Sequence, residues 1–174
     1  MKKILLTLIV AVMGCMTAMA GSDLKVVEGD KKFLKTASGN AVLIFDWEGA
    51  TYDNKEPLTN HYSNLEQLKP IAWNGFVEEF NKKSKNVKVV KDATDARYQF
   101  SMQVTNMDMY VKVMSFIPSP ATKVWGVMTV TDLQTGEVIA IIQVKEVNGG
   151  GNPSPDGSFS DCFEELGKQM AKLK

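Results

Sequence analysis

The chain has 174 residues, and its 20 basic side chains are balanced by 20 acidic ones. This length suffices for one domain with a sizeable core, and we do not expect a second independent core. A nucleic-acid-binding protein normally carries a basic surplus that displaces counterions from phosphates, and this chain has none. The composition therefore excludes nucleic acid as the expected partner.

The N-terminus has the pattern of an export signal. Two lysines precede a short apolar run, and Ala18 and Ala20 occupy positions −3 and −1 of a signal-peptidase site. The run is shorter than the roughly 20 apolar residues of a membrane-spanning helix, and no later segment comes nearer to that length. We predict a signal peptide over residues 1–20 and an exported protein without a transmembrane segment.

An alternative interpretation of the leader depends on Cys15. The sequence Val12-Met13-Gly14-Cys15 is similar to a lipobox, in which cleavage before the cysteine leaves it carrying a lipid tether. Cleavage after Ala20 instead leaves Cys162 as the single cysteine, so no internal disulfide forms. The predicted location is the periplasm or the cell surface, and the alternative is an outer-membrane lipoprotein.

The first half of the predicted domain begins with an arm and a buried strand. Residues 21–40 are mostly polar and are predicted to form an N-terminal arm, whereas residues 41–174 form a single domain. From Ala41 to Trp47 both alternating sets of residues are apolar, which is typical of a central strand covered on both faces. Turn-forming residues are frequent over 48–62, so we predict a long loop there.

A helix is predicted after this loop. Ser63 and Glu66 match a capping box, and apolar residues recur every three or four positions from Leu65 to Phe80. Pro70 removes an amide donor from this helix, which predicts a kink or a new start. Residues 87–90 then form a short strand.

Strands dominate the second half of the chain. Large apolar and polar residues alternate from Tyr98 to Thr105, which predicts a strand with one face in the core. Two further strands, Val124 to Thr131 and Glu137 to Val147, are joined through a turn at 132–136. Residues 148–157 are rich in Gly and Pro, so we expect no regular structure there.

The last predicted element is a helix that begins at about Ser158 or Ser160. Its apolar residues share one face and its charges follow the helix dipole. The predicted fold is α+β, a single largely antiparallel or mixed sheet of four to five strands with two helices packed on one face. The apolar face consists of Phe159, Phe163, Leu166, Met170 and Leu173.

Two motifs resemble those of a superfamily of bacterial envelope domains. They are Asp95-Ala96-Arg97-Tyr98 at the start of the alternating strand and the turn Asp132-Leu133-Gln134-Thr135-Gly136-Glu137-Val138-Ile139. The superfamily includes the curli-secretion lipoprotein and the lipoprotein activators of penicillin-binding proteins. The resemblance covers about residues 41–174, and it implies the fold more than the role.

The sequence carries no common catalytic or metal-binding motif. It lacks the motifs of serine hydrolases, zinc proteases and dithiol oxidoreductases, so we predict no catalytic residues, no metal site and no cofactor. Cys162 near a helix start would make a thiol nucleophile with His61 if the fold joined them. The favoured interpretation of Cys162 is a small packed residue. The carboxylates Asp46, Glu48 and Asp53 are interpreted as solvated turn residues.

An apolar segment, Met107 to Pro118, continues past the alternating strand. Exposed methionine and aromatic side chains are typical of protein-binding patches. The alternative is that the strand extends and these residues complete the core. The partner-binding hypothesis names Met107, Met109, Tyr110, Val113, Phe116 and Ile117.

These observations together favour a binding role. We expect a non-catalytic exported protein that binds a protein partner or an envelope polymer in assembly or maintenance of the cell surface. The first alternative is an exported hydrolase with dispersed catalytic residues, which predicts clustered carboxylates or a Cys–His pair with perturbed pKa values. The second is a small-ligand carrier, which predicts an enclosed cavity between sheet and helices.

Overall fold

A computed structural model describes residues 23–114 and 117–173, with the side chains of 111–114, 117 and 118 outside the description. The predicted signal peptide, with Cys15, Ala18 and Ala20, therefore lies outside the described residues. The division of the chain into leader, arm and domain stays a prediction.

The described residues form eight strands and four α-helices. The strands are β1 Leu24–Gly29, β2 Gly39–Asp46, β3 Thr51–Tyr52, β4 Glu56–Pro57, β5 Val87–Val89, β6 Ala96–Met114, β7 Ile117–Asp132 and β8 Val138–Asn148. The helices are α1 Phe33–Thr36, α2 Leu58–His61, α3 Leu65–Lys83 and α4 Pro155–Ala171.

The eight strands belong to one mixed sheet with the order β1-β8-β7-β6-β2-β5, and β3 and β4 are attached beside β6. β2 runs parallel to both β5 and β6, whereas β1, β8, β7 and β6 are successively antiparallel. The prediction of four to five strands and two helices is therefore wrong. β1 lies in a polar segment, and β3, β4, α1 and α2 are too short to produce a periodic pattern.

The core lies between one face of the sheet and the two long helices. Phe76 and Phe80 of α3, Phe100 of β6 and Phe159 and Phe163 of α4 are all fully buried. Burying each of these rings stabilises the fold by about 1.5–3 kcal/mol. The predicted apolar face of the last helix is confirmed, because its aromatic and aliphatic residues fill this layer.

β2 differs from its prediction as a central, doubly covered strand. It is second from one end of the main strand order, beside the short edge strand β5. Leu43 is buried in the core cluster, whereas Ile44 on the opposite face is 45% exposed. Alternate strand residues point to opposite faces, so the face that carries Ile44 is the one turned away from the core.

Both long helices begin differently from their predictions. Asn64, not Ser63, is the N-cap residue of α3 and makes no side-chain cap bond, while Glu66 pairs with Lys69. The predicted capping box is therefore absent, and α3 continues through Pro70 without a new start.

α4 begins at Pro155 rather than at residue 158 or 160. The Ser154 hydroxyl accepts a hydrogen bond of 3.0 Å from the Gly157 amide, and Pro155 occupies the first helical turn. Proline suits this position because the first amides of a helix have no partner within it.

The segment predicted as a long loop contains a small hairpin, β3–β4. Asp53 and Asn54 have φ values of 50° and 55°, and the Lys55 amide donates to the Tyr52 carbonyl over 3.0 Å. Two consecutive positive φ angles are typical of a type I′ turn, and the three residues 53–55 connect β3 to β4. This turn lies against β6 and helps to form the site described next.

Candidate functional site

The β6–β7 hairpin extends beyond every other described strand. Its pairing runs from Tyr98 opposite Asp132 to Met114 opposite Ile117. The last β7 residue paired with β8 is Lys123, and the last β6 residue paired with β3 is Met107. Past these points, the described residues 108–114 and 117–122 pair only with each other, and we call them the hairpin arm.

Hydrogen bonds at the root of the arm show which way the β7 backbone points. The Thr122 amide donates to Ser158 Oγ over 2.8 Å, and the Thr122 carbonyl accepts from the Gly149 amide over 3.4 Å. Both groups of Thr122 therefore point away from β6. Backbone direction alternates along a strand, so Pro120 and Pro118 present their backbones to this same outer edge.

The prolines close the outer edge of β7 to further pairing. Proline has no amide hydrogen, so neither Pro118 nor Pro120 donates to an incoming strand. The Pro120 carbonyl already accepts a hydrogen bond of 3.2 Å from the Asn152 amide. This edge therefore offers little to a strand from another molecule.

The outer edge of β6 is different. The Met107 carbonyl accepts a hydrogen bond of 2.8 Å from the Asp53 amide of the β3–β4 turn, so Met107 points away from β7. Met109, Val111 and Val113 share its direction by alternation. Among the described residues no strand occupies this edge beyond Met107. The outer edge of β6 therefore carries the Tyr52 hydroxyl at Met109 and no described strand beyond Met107.

Buried polar side chains fix the root of the arm to the body. Asn106 is 4% exposed, and its Oδ1 accepts from the Asn54 amide over 2.8 Å and from Thr51 Oγ1 over 3.0 Å. On the other strand, the fully buried hydroxyls of Thr122 and Ser158 lie 3.0 Å apart. Each strand of the hairpin is therefore anchored separately where it leaves the sheet.

Aromatic rings pack beside this root. The His61 ring stacks on Tyr52 with a centroid distance of 3.4 Å and an interplanar angle of 6°. Burial, and next the nearby Asp108 carboxylate, raise the pKa of Tyr52. Burial also raises the pKa of Tyr62, which contacts both rings edge-on. These phenols stay protonated at neutral pH, and the Tyr52 hydroxyl accepts a hydrogen bond from the Met109 backbone amide.

The six residues of the partner-binding hypothesis occupy different environments. Met107 is fully buried, so it belongs to the core and not to an exposed patch. Met109 is partly buried against the core. The Tyr110 ring lies 4.5 Å from Lys123 Nζ, and its hydroxyl accepts from Asn148 Nδ2. Val113 and Ile117 are strand residues whose side chains are not described, and Phe116 lies outside the described residues.

The possible thiol nucleophile, Cys162, is a packed core residue. It is fully buried, its Sγ donates to the Val147 carbonyl over 3.3 Å, and burial raises the pKa of the thiol. The His61 ring contacts Tyr52 and Tyr62, and among the described residues it does not pair with Cys162. The structure therefore does not bring the Cys–His pair together.

The carboxylates considered from the sequence have local roles. Asp46 accepts from the Glu48 amide over 2.9 Å, and Asp53 pairs with Lys55. Within residues 23–114 and 117–173, His, Cys, Asp and Glu side chains do not gather in groups of three or more suited to a metal ion.

Two grooves lie away from the arm. One, of about 340 Å³, follows the edge of β2 beside Trp73, whose Nε1 donates to the Leu43 carbonyl over 3.3 Å. Lys91 Nζ lies 5.5 Å from the Trp73 ring centroid. The second groove, of about 170 Å³, is lined by side chains of α3 and α4. The first groove lies between β2 and α3, but both grooves are open to solvent, whereas a ligand carrier predicts an enclosed cavity.

Comparisons with known proteins find similar solved structures, but no matching family model and no matching curated protein. No family model matches the chain, and no curated protein matches it. A PelC dodecamer from Paraburkholderia phytofirmans is 16% identical over 85% of this chain and 98% of that one, with a TM-score of 0.44. A putative neuraminyllactose-binding hemagglutinin homolog from Helicobacter pylori is 11% identical over 90% and 88%, with a TM-score of 0.39.

A third solved structure, a DUF330 protein from Xanthomonas campestris, is 10% identical over 77% of this chain and 82% of that one, with a TM-score of 0.38. These TM-scores all lie below 0.5 at identities of 16% or less, so no conclusion about role or activity follows from the comparisons. The superfamily named from the sequence is not confirmed and stays a prediction. In the described part of the chain, no helix has both the length and the apolar character to cross a membrane.

The sequence pattern predicts part of the arm but not the difference between its two edges. The apolar segment after Thr105 was recognised, and the alternative that the strand extends describes its backbone correctly. The difference between the two edges was missed, although Pro118 and Pro120 are a readable signal of it. Two prolines at alternate positions block the same edge of a strand. Which of the two edges they block is known only once the register of β7 against β6 is known.

Proposed function

We propose that this chain is a non-catalytic exported protein whose hairpin arm binds another protein or an envelope polymer in assembly or maintenance of the cell surface. The observation that carries the proposal is that residues 108–114 and 117–122 pair only with each other among the described strands. A two-stranded hairpin is only marginally stable alone, so an arm with this much unsupported strand is typical of an element that acts in contact with a partner.

The local chemistry of the described residues also supports a binding role over the hydrolase alternative. Cys162 is buried and protonated, and the carboxylates of Asp46 and Asp53 are engaged in turns. A thiol that stays protonated is a poor nucleophile, because the thiolate is the reactive form. The arm, in contrast, is packed on the body only through residues such as Met109, Ala121 and Thr122 among those described, and its paired strands continue past β3 and β8.

The proposal is tested by shortening the arm. Residues 113–118 are replaced by Asn-Gly, which joins Lys112 to Ser119 through a two-residue turn at a pair that the hairpin already forms. We expect the body to keep its thermal stability and the shortened protein to lose the envelope components that the wild-type protein retains. Identical retention by both proteins, compared after mild cross-linking in intact cells, would contradict the proposal.

A single substitution gives a finer test at the root of the arm. Tyr110→Ser removes a ring that packs on Lys123 and a hydroxyl bonded to Asn148. Unchanged stability with reduced retention of partners would support Tyr110 as a contact residue. A large loss of stability would show that Tyr110 serves the sheet instead.

Export is a separate part of the proposal. Mass measurement of the protein recovered from an exporting cell distinguishes the two leaders, because cleavage after Ala20 gives an unmodified chain starting at Gly21 and the lipobox gives a diacylated Cys15. A full-length chain that stays inside the cell would contradict export altogether.

A further inference from the structure

We propose that the larger groove, between β2, α3 and the segment that follows β5, binds an acidic saccharide, that is, a sugar ring that carries a carboxylate. The groove has a volume of about 340 Å³, and we call it the Trp73 groove after the ring in its wall. It lies away from the arm, so the inference goes beyond the proposed function and does not depend on it.

The wall of the Trp73 groove has the composition of a ligand site. Apolar residues of β2, α3 and the segment after β5 form most of the wall, and Asn74 and Lys91 are its two polar side chains. Both polar side chains are exposed. Clefts of about 300–1,000 Å³ with an apolar and aromatic wall and a few polar groups are typical of sites for small molecules.

Lys91 gives the groove a positive charge that lacks a counter-ion in the described part of the chain. Its Nζ lies 5.5 Å from the centroid of the Trp73 ring, and the ion pairs among the described residues do not include it. The neighbouring carboxylate of Asp92 accepts from the amide of Thr94 over 2.8 Å and from its hydroxyl over 2.6 Å. The group that complements Lys91 is therefore an anion from a ligand. One ammonium balances a carboxylate, whereas a phosphate at neutral pH carries a charge of about −1.5 to −2.

The Trp73 ring is fixed in place by the protein itself. Its Nε1 donates to the Leu43 carbonyl over 3.3 Å, and the ring is partly buried against the core. A contact group that is already ordered loses little conformational entropy on binding. One face of a pyranose ring consists of C–H groups, which suit the flat apolar surface of an indole. Because the indole and the Lys91 ammonium are close together, one sugar residue can contact both.

The edge of β2 favours a saccharide over an extended peptide. Among the described strands, β5 pairs with β2 only as far as Ala41, whose carbonyl accepts from the Val90 amide over 2.9 Å. Leu43 faces the same edge by alternation, and its carbonyl already accepts from Trp73. A peptide that added here as a strand would compete with Trp73 for that carbonyl. A saccharide needs no strand edge, and the Asn74 amide offers its hydroxyls both a donor and an acceptor.

The charge requirement is tested by titrating trigalacturonate into the purified protein in a calorimeter. Trigalacturonate carries a carboxylate on each pyranose ring, and its methyl ester keeps the rings but removes the charges. We expect trigalacturonate to bind and the ester to bind about tenfold more weakly, as for the loss of one hydrogen bond to a charged group. Equal affinity for the two, or no binding of trigalacturonate at millimolar concentration, would overturn the inference.

The position of the site is tested by Lys91→Gln. We expect this variant to bind trigalacturonate about tenfold more weakly than wild type and to bind the ester unchanged. Lys85→Gln is the matched control, because it removes the same charge from an exposed lysine outside the groove wall. Surface substitutions of this kind seldom affect stability, so both variants are expected to melt like wild type. An equal loss of affinity in both would indicate general attraction to a basic surface and would overturn the site.

The contact with the ring is tested by comparing Trp73→Phe with Trp73→Leu. Both variants lose the hydrogen bond to the Leu43 carbonyl, but only phenylalanine keeps a flat ring. We expect Trp73→Phe to bind trigalacturonate more tightly than Trp73→Leu, with melting temperatures close to each other. Equal affinities would overturn the placement of the sugar on this ring.

The chemical class of the ligand is tested with triglutamate that is acetylated and amidated at its ends. This peptide carries as many carboxylates as trigalacturonate but has no sugar rings. We expect it to bind about tenfold more weakly than trigalacturonate, or not at all. Equal or tighter binding of triglutamate would overturn the saccharide and identify an acidic peptide as the ligand.

Discussion

The hydrogen bond from the Thr122 amide to Ser158 makes the sharpest stability prediction in this fold. Ser158 is fully buried on α4, and its hydroxyl oxygen lies 2.8 Å from the Thr122 nitrogen and 3.0 Å from the Thr122 hydroxyl. Ser158→Ala removes one oxygen and leaves the Thr122 amide buried with no acceptor at that position. The variant therefore tests how firmly the arm is anchored to the helix layer.

The expected magnitude follows from the burial of this amide. Leaving a buried donor unsatisfied costs its full desolvation penalty, about 1–3 kcal/mol, whereas the lost oxygen itself contributes little packing. We expect Ser158→Ala to lower the free energy of unfolding by about 2 kcal/mol. For a domain of this size that corresponds to a melting temperature lower by about 4–8 °C.

Ser160 on the same helix provides the matched control. Its hydroxyl is partly exposed and donates to Glu164 one turn along α4. Surface substitutions of this kind change stability by about 0.5 kcal/mol or less, so Ser160→Ala is expected to melt close to wild type. Thermal and urea unfolding of both variants make the comparison. Equal losses, or no loss in Ser158→Ala, would refute the buried-donor argument.

Three further predictions concern the body of the fold. Gly167→Ala is expected to destabilise by about 1–3 kcal/mol, because its Cβ would lie 2.2 Å from the Phe76 carbonyl oxygen. Gly136→Ala has no atom within 4 Å of its Cβ but a φ of 74°, so its chemical unfolding measures backbone strain without a clash. Cys162 is expected to resist a thiol reagent in the native state and to react fully in denaturant, because burial raises its pKa. The hydrogen bond from the Gln134 amide lowers the pKa of the Asp132 carboxyl group in the folded protein. The ionised carboxylate therefore stabilises the fold at neutral pH, and this contribution is lost as pH falls below about 4. Asp132→Asn is expected to reduce the loss of stability on the acid side, measured by unfolding as a function of pH.

Long periodic elements were predictable from the sequence. The alternation from Tyr98 to Thr105 identified β6, and the apolar stripe from Phe159 to Met170 identified α4, because each pattern repeats enough times to exclude other structures. The positions of the ends were not predictable. α4 begins a turn before Ser158, since Pro155 reads as a loop residue until its place in the first helical turn is known.

Short elements and partner-dependent features were not predictable. β3 and β4 have two residues each, so Asp53 and Asn54 read as part of a loop, although their type I′ turn positions a backbone donor for Met107. The exposure of Ile44 was missed for a related reason. A strand that is apolar on both faces is buried on both only if other elements of the fold cover both faces. The residue pattern within β2 does not show whether such elements exist.

Most of the buried polar side chains among the described residues lie where the arm leaves the sheet. Five such residues are buried, and three of them, Asn106, Thr122 and Ser158, lie at the arm's root. Buried polar groups seldom add net stability compared with apolar residues of the same shape, but each unmade bond is costly, so they favour one arrangement over others. Asn106 fixes β6 to the β3–β4 turn, and Ser158 fixes β7 to α4. A hairpin held on both strands leaves the sheet in one direction, so its strands are presented to a partner in a fixed orientation.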